Sequence, residues 1–386
     1  MDPTATIAGG GMAAVAACLA LAARGVPVTW IAPPATAGDR PGESLAAAAR
    51  PLLQRLGLDD LLDDPAHRPV AASFTSWGSD ALLESDALAR PGGMGHVVHR
   101  GRLEAAMVAR LRRQPRVTGI AGQVTGIARR AGGWTVSTDT GETLQAGVLI
   151  DATGRACRIG RRLAKLQRGD RLMAAYAFLE QVDREVEPTP ATLVEAVATG
   201  WWYATLLADG RLALNHYSDP DLLPRGLGRD PAAWQALAAD SRYISRWIES
   251  AGFALAGAPR LASAGTAWLS RAAGPDWAAV GDAAAAFDPL SAHGMTTALW
   301  TGIEAGEAAC RALDGDPGPL RHYADRVDQG IARYRDERQR IYRREGRFAG
   351  QPFWQRRRTA AEGVQDVSTE PRRSSIGRAF TQRRKS

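Results

Sequence analysis

The chain has 386 residues, of which 45% are hydrophobic and 23% charged, a balance that excludes collagen-like, fibrous and disordered classes. That length exceeds what one compact core usually holds, so two interleaved domains or one large α/β domain are expected. The formal net charge of +7 is local: from Arg347 onward ten basic residues face three acidic ones, and the remainder is balanced. A nucleic-acid-binding protein would spread basic charge over its folded body, so that class is disfavoured. The basic end reads as a solvated flexible tail, with docking to an acidic protein surface as the other reading.

No apolar run is long enough for a membrane-spanning helix, and no membrane partner is expected. Three scattered cysteines, Cys18, Cys157 and Cys310, form neither a disulfide framework nor a zinc cluster, which fits a reducing, cytoplasmic compartment. With no H-x-x-x-H or C-x-x-C pair, no metal site is expected.

The first predicted strand is Thr4 to Ala8. Gly9-Gly10-Gly11-Met12-Ala13-Ala14 follows, then a helix to Ala23, a stop at Gly25 and a second strand, Val26 to Ile31. The apolar start imitates a signal peptide, but Asp2 stands where a positive charge is needed, and the glycines have a better explanation. They spell G-x-G-x-x-A. Gly9 permits the tight turn, Gly11 lets a diphosphate approach the backbone, and Ala14 lets the helix pack close to the sheet. Framed by two strands, this predicts a dinucleotide site. One element is missing: Trp30-Ile31-Ala32-Pro33-Pro34 ends the second strand without a carboxylate for the ribose, leaving Asp39 or Glu43 as weak substitutes.

Three later segments specify the dinucleotide. Arg40-Pro41-Gly42-Glu43-Ser44-Leu45 leads into a helix expected to run toward Leu56. Val148-Leu149-Ile150-Asp151-Ala152-Thr153-Gly154-Arg155 is a buried strand breaking into a glycine turn. Ala278-Ala279-Val280-Gly281-Asp282, then Phe287-Asp288-Pro289-Leu290-Ser291-Ala292-His293-Gly294-Met295, precedes a long helix. In this order the motifs resemble the FAD-binding monooxygenases of the para-hydroxybenzoate hydroxylase fold, on the branch that includes the tryptophan halogenases, over nearly the whole chain to Arg358. The resemblance implies an α/β fold: a Rossmann-like FAD-binding domain interleaved with an antiparallel-sheet substrate domain, and a helical C-terminal extension. FAD binding is expected in 1–66, 98–170 and 271–320, a substrate-side insertion in 67–97, the substrate domain in 171–270, C-terminal helices in 321–358 and the basic flexible tail in 359–386.

The same resemblance assigns roles. Asp282 accepts hydrogen bonds from the ribityl chain, and the helix after Ser291 aims its N-terminus at the flavin, with Gly294 allowing close approach. Arg100, ahead of a helix with Leu103, Met107 and Leu111 on one side, resembles the arginine that reaches the FAD phosphates; a surface helix cap is the other reading. Met12, Ala13, Arg40, Ser44, Asp151, Gly154, Gly281, Pro289, His293 and Met295 complete the implied FAD contacts. His293 stands where the pattern has Gln.

Within the branch, Gly42-Glu43-Ser44-Leu45 with Ala49-Arg50-Pro51-Leu52-Leu53, Glu195-Ala196 with Gly200-Trp201-Trp202-Tyr203, and Pro352-Phe353-Trp354 followed by arginines are similar to flavoproteins that mature the cysteine tryptophylquinone of quinohemoprotein amine dehydrogenase and of lysine and glycine oxidases. The implied activity is hydroxylation of an aromatic ring through a flavin C4a-hydroperoxide, on a tryptophan of a partner polypeptide such as an amine dehydrogenase or amino-acid oxidase subunit. NAD(P)H or a reduced flavin supplies electrons, and O2 is consumed.

Residues Trp201–Leu207 and Leu212–Tyr217 flank Asp209-Gly210 as a hairpin. Alternation puts Leu212, Leu214 and His216 on one face and Ala213, Asn215 and Tyr217 on the other. Trp201, Trp202 and Tyr203 are candidate pocket residues, with sheet packing as the other reading. His216 is a candidate acid–base residue or a structural histidine. Glu43 is a candidate catalytic carboxylate or a helix cap. The charged helical stretch from Tyr323 to Arg347 is expected to pack outside.

Rival readings differ in testable features. A halogenase needs a lysine after the G-E motif and a W-x-W-x-I-P segment, whereas this chain has only Lys165 and Lys385 and no such segment. A small-molecule aromatic hydroxylase of natural-product or catabolic metabolism would turn over free phenols or indoles. An isoprenoid-saturating reductase would work without oxygen, and a non-catalytic assembly factor would bind its partner without changing its mass.

Overall fold

A computed structural model describes residues 4–34, 39–85, 93 and 95–358. The basic segment 359–386 therefore lies outside the described residues, as does part of the expected 67–97 insertion.

A five-stranded parallel sheet runs in the order Trp277–Ala279, Val148–Asp151, Ala5–Ala8, Val28–Ala32, Val117–Ala121. The central strand Ala5–Ala8 is buried throughout, as a parallel strand covered on both faces must be. Helix Met12–Ala22 follows it and buries ten of its eleven residues, which explains its alanine-rich, non-amphipathic sequence. The long helix Gly294–Leu313 presses directly on it. A Cβ at Gly302 would stand 2.5 Å from the Ala13 carbonyl oxygen, and one at Gly306 would stand 2.9 Å from that of Ala17.

A seven-stranded sheet runs in the order Arg260–Ser263, Met173–Leu179, Leu212–Ser218, Gly200–Leu206, Ala191–Val197, Ala72–Ser76, Leu83–Ser85. Its neighbours are antiparallel except for Ala191–Val197 with Ala72–Ser76. Helices Pro231–Ala239 and Tyr243–Ser250 cover one face, where Leu214, Trp202, Trp234, Ile244 and Ile248 form a core. Glu195 supports that layer: its buried carboxylate accepts from the N–H groups of Arg242, Tyr243 and Ile244 at 2.7–2.9 Å, at the positive end of the second helix. The other face carries Trp201 and Tyr217, packed with Tyr342, Phe353 and Trp354 from the C-terminal helices.

Two expectations need correction. Ser44–Leu45 is a short strand paired with Val97 and His96, and the helix begins only at Arg50, with Pro51 in its first turn. The C-terminal helix Gly318–Arg344 is not merely external. It buries Leu320, Tyr323, Val327, Ile331, Tyr334 and Tyr342 along one stripe, the apolar periodicity lying beneath its high charge. Three arginines of the basic C-terminal region are likewise tied to the fold: Arg347 pairs with Glu345 and Asp80, and both the exposed Arg356 and the buried Arg357 with Asp219.

Candidate active site

A cavity of about 310 Å³ lies between the parallel sheet and the Trp201 face of the antiparallel sheet. Two helix N-termini flank it, Met12–Ala22 and Gly294–Leu313, and neither has a side-chain cap. Their first N–H groups and dipoles are therefore free to bind negative charge. At Gly11 and Gly294 a Cβ would meet nothing within 4 Å, so the backbone is open to the cavity at both ends. Gly9 serves a different purpose. It sits at φ +130°, where a Cβ would stand 2.0 Å from the Ala152 carbonyl oxygen, so it lets two turns cross. Trp30 holds that turn by donating from its indole N–H to the Gly9 carbonyl at 2.7 Å. It does so from the end of the strand that lacks the ribose carboxylate.

Of the expected cofactor residues, Gly11, Met12, Ala13, Ser44, Arg100, Gly154, Gly281, Asp282, Pro289, Gly294 and Met295 line the cavity. Arg100 is not a surface cap: its guanidinium is anchored on Glu104 at 3.0 Å and on the Pro41 carbonyl at 2.9 Å. Asp282 keeps its carboxylate accessible and faces Arg155 at 3.5 Å. Five expected residues sit elsewhere. Gly9 and Ala14 shape the backbone behind the wall, and His293 flanks the helix start without lining the cavity. Arg40 borders a narrow adjoining cleft and pairs with Glu104. Asp151 is fully buried and accepts from the N–H groups of Thr153, Ile159 and Gly160 and from the Thr153 hydroxyl, all at 2.6–2.9 Å. Its carboxylate builds the turn rather than facing the cavity.

The substrate side divides by strand parity. Trp201 and Tyr203 line the cavity, and Tyr217 stacks on Trp201 at 4.0 Å. Trp202 and His216 point to the opposite face, where their rings meet at 4.6 Å beside Trp234. Adjacent strand residues alternate, so Trp202 could not share the pocket with both its neighbours. His216 is fully buried, burial pushes its pKa down to about 3, and neither ring nitrogen has a partner among the described residues. Both leave the candidate site.

Glu43 stays in it. The residue is 2% exposed and lines the cavity, and neither of its buried carboxylate oxygens has a hydrogen-bond partner among the described residues. It caps no helix. Burial pushes its pKa up to about 7, against the smaller pull of the nearby Glu43 and Gly42 backbone N–H groups, which lie outside hydrogen-bond geometry, and of Arg100.

The sequence reading missed the group that shapes the loop before Gly294. Asp288 accepts from Tyr342 at 2.7 Å, from Arg338 at 3.0 Å and from the Leu290 N–H at 3.0 Å, while its own N–H donates to Tyr334 at 2.6 Å. Tyr342 also accepts the indole N–H of Trp201 at 3.1 Å. Within the loop, Ala292 takes a left-handed conformation (φ 51°) and lines the cavity, strain that this network holds in place. Only the period-3.6 burial of the C-terminal helix could have signalled these partners.

No family model matches the chain. LodB of Marinomonas mediterranea, a putative FAD-dependent oxidoreductase, is 26% identical over 226 residues, 56% of this chain but only 57% of LodB. UbiL of Rhodospirillum rubrum, a ubiquinone hydroxylase, is 26% identical over 324 residues, 81% of this chain and 74% of UbiL. Among solved structures, the peptidyl tryptophan dihydroxylase QhpG, essential for tryptophylquinone cofactor biogenesis, is 25% identical with a TM-score of 0.78, covering 96% of this chain and 82% of QhpG. Over most of its length the chain thus resembles FAD-dependent oxidoreductases and hydroxylases in sequence and fold. The flavin-dependent halogenase CmlS shares the fold, with a TM-score of 0.81 at 21% identity over 94% of this chain and 68% of CmlS. The paired uncapped helix ends, the open glycines and the accessible Asp282 carboxylate could together hold the anionic and hydroxyl-bearing parts of a dinucleotide such as FAD. Among the described residues, no helix is long and apolar enough to cross a membrane.

Proposed function

We propose that this chain is an FAD-dependent aromatic hydroxylase acting on a tryptophan side chain of a partner polypeptide, as a step in building a tryptophylquinone cofactor. The observation that carries the reading is Glu43, an unpartnered buried carboxylate facing a cavity walled by Trp201, Tyr203 and Tyr217. FAD, when bound and reduced by NAD(P)H or another reduced flavin, would supply an activated oxygen drawn from O2, whose second atom leaves as water. Gly11, Arg100 and the N-terminus of the helix Met12–Ala22 would hold its diphosphate, and the N-terminus of the helix Gly294–Leu313 would stabilise negative charge on its ring system. Trp201 and Tyr217 offer aromatic faces for an indole. Glu43, ionised above pH 7, accepts the indole N–H and then takes the proton released as the hydroxylated ring regains aromaticity. The likeness to QhpG supports a polypeptide substrate.

UbiL, which aligns over more of this chain than LodB does, favours a second reading, hydroxylation of a small aromatic molecule. A halogenase fits poorly, because among the described residues no lysine lines the cavity.

Mass spectrometry of a tryptophan-bearing dehydrogenase or oxidase subunit, produced with and without this protein, separates the two readings. One or two added oxygens on a single tryptophan are expected. A folded partner of unchanged mass beside flavin-loaded protein would overturn the polypeptide reading. Glu43→Gln should lower turnover by roughly 10²- to 10⁴-fold at full flavin content, and should abolish a rise in kcat/KM through about pH 7.

A further inference from the structure

We propose that the strand Arg260–Ser263 is a docking edge onto which the polypeptide substrate adds as a further strand of the seven-stranded sheet, presenting its aromatic side chain to the cavity. The inference rests on the hydroxylase reading above and specifies how that site receives its substrate.

The first observation is main-chain valence. This strand lies at the end of the sheet and pairs only with Met173–Leu179. The Ala264 N–H donates to the Leu172 carbonyl at 2.8 Å, which fixes the alternation of bonded pairs. Ala262 with Ala174 and Arg260 with Tyr176 are then the bonded pairs, and Leu261 and Ser263 turn their N–H and C=O groups outward. Arg260, Leu261 and Ser263 are exposed, and among the described residues no main chain outside the sheet bonds to them. The edge is short and begins with a charged residue, Arg260, but its centre is open: Leu261 is apolar and 47% exposed, and no proline or acidic side chain interrupts the four residues.

The second observation is independent of the first. Ala262, Ser263 and Ala264 belong to the cavity wall. Ala262 lies opposite Ala174, which lies opposite Tyr217, whose ring stacks on Trp201. A residue placed opposite Ala262 on an added strand would therefore project from the same sheet face as Trp201, over small side chains that leave room for a ring. The opposite edge, Leu83–Ser85, is not part of the wall. An alternating row of donors and acceptors at strand spacing matches an extended backbone and has no use for a free phenol.

Leu261→Pro removes one outward donor and leaves the bonded pairs with Met173–Leu179 intact; Leu261→Ala keeps the donor and controls for the side chain. The probes are an extended Thr/Val-rich peptide with one tryptophan, and N-acetyl-tryptophanamide, which has the ring but no strand. Leu261→Pro should raise KM for the peptide about tenfold and leave flavin content and turnover of the amide unchanged, while Leu261→Ala behaves as wild type. The peptide should also slow hydrogen exchange at the Leu261 and Ser263 amides. Oxygen insertion without that protection, or with equal peptide KM in all three proteins, overturns the docking edge and leaves the hydroxylase reading standing. Protection without oxygen insertion does the reverse. Protection that depends on protein concentration alone would assign the edge to a second copy of this chain and also overturn the proposal.

Discussion

The two faces of the seven-stranded sheet use nearly the same residues for opposite ends. On one, Trp202, His216 and Trp234 are sealed beneath two helices. On the other, Trp201, Tyr203 and Tyr217 border a cavity. Trp201 and Trp202 are neighbours in sequence and both are buried, yet only one stands where a ligand can reach it. Burial acts differently on the titratable groups as well. It leaves His216 neutral and inert with its pKa near 3, and raises Glu43 to about 7, where a carboxylate can exchange a proton near neutral pH. Aromatic content and burial therefore do not mark a site; access to the cavity does.

The contrast can be broken most directly at the tryptophans. Trp202→Ala should cost roughly 3–5 kcal/mol of stability, measured by denaturant unfolding, with KM unchanged in the molecules that remain folded. Trp201→Phe keeps a ring but loses the bond to Tyr342, so it should cost only about 1 kcal/mol while raising KM for the aromatic substrate. Equal KM effects at both positions would erase the distinction between the faces.

The next test uses pH. Glu43 is protonated more readily folded than unfolded, so between pH 4.5 and about 7 the folded state holds the extra proton. Stability of the flavin-free protein should therefore fall as pH rises through that window, by about 3 kcal/mol in all, and level off above it. Glu43→Gln should flatten that part of the unfolding curve. The smallest effect is expected at His216. Replacing it with Phe removes two unpartnered ring nitrogens at similar volume, so stability should change by less than about 1 kcal/mol, with the pH–rate profile unaltered.

Much of this architecture is legible in the sequence because its causes are local. Gly9, Gly11 and Ala14 announce a strand–turn–helix within a few residues, and the alternation through Leu212–Tyr217 is enough to separate the two sheet faces. Which face meets the cavity is not legible, because it depends on what packs from distant parts of the chain; hence the sequence groups Trp202 and His216 with residues they turn away from. Asp151 misleads for a related reason. A buried acid at a strand end reads as a ligand group until its four donors are counted. Asp288 needs partners 46–54 residues downstream, beyond the reach of any local pattern.

That last arrangement orders events during synthesis. Tyr334, Arg338 and Tyr342 leave the ribosome well after the loop they hold, so the Asp288 carboxylate waits without these partners while nearly all the rest of the cavity wall already exists. Chains that end short of Tyr342 would lack the Tyr342 hydroxyl that bonds both Asp288 and Trp201 in the cavity wall. The cavity wall is thus completed by residues close to the end of the described chain, and its assembly is among the last steps that folding can finish.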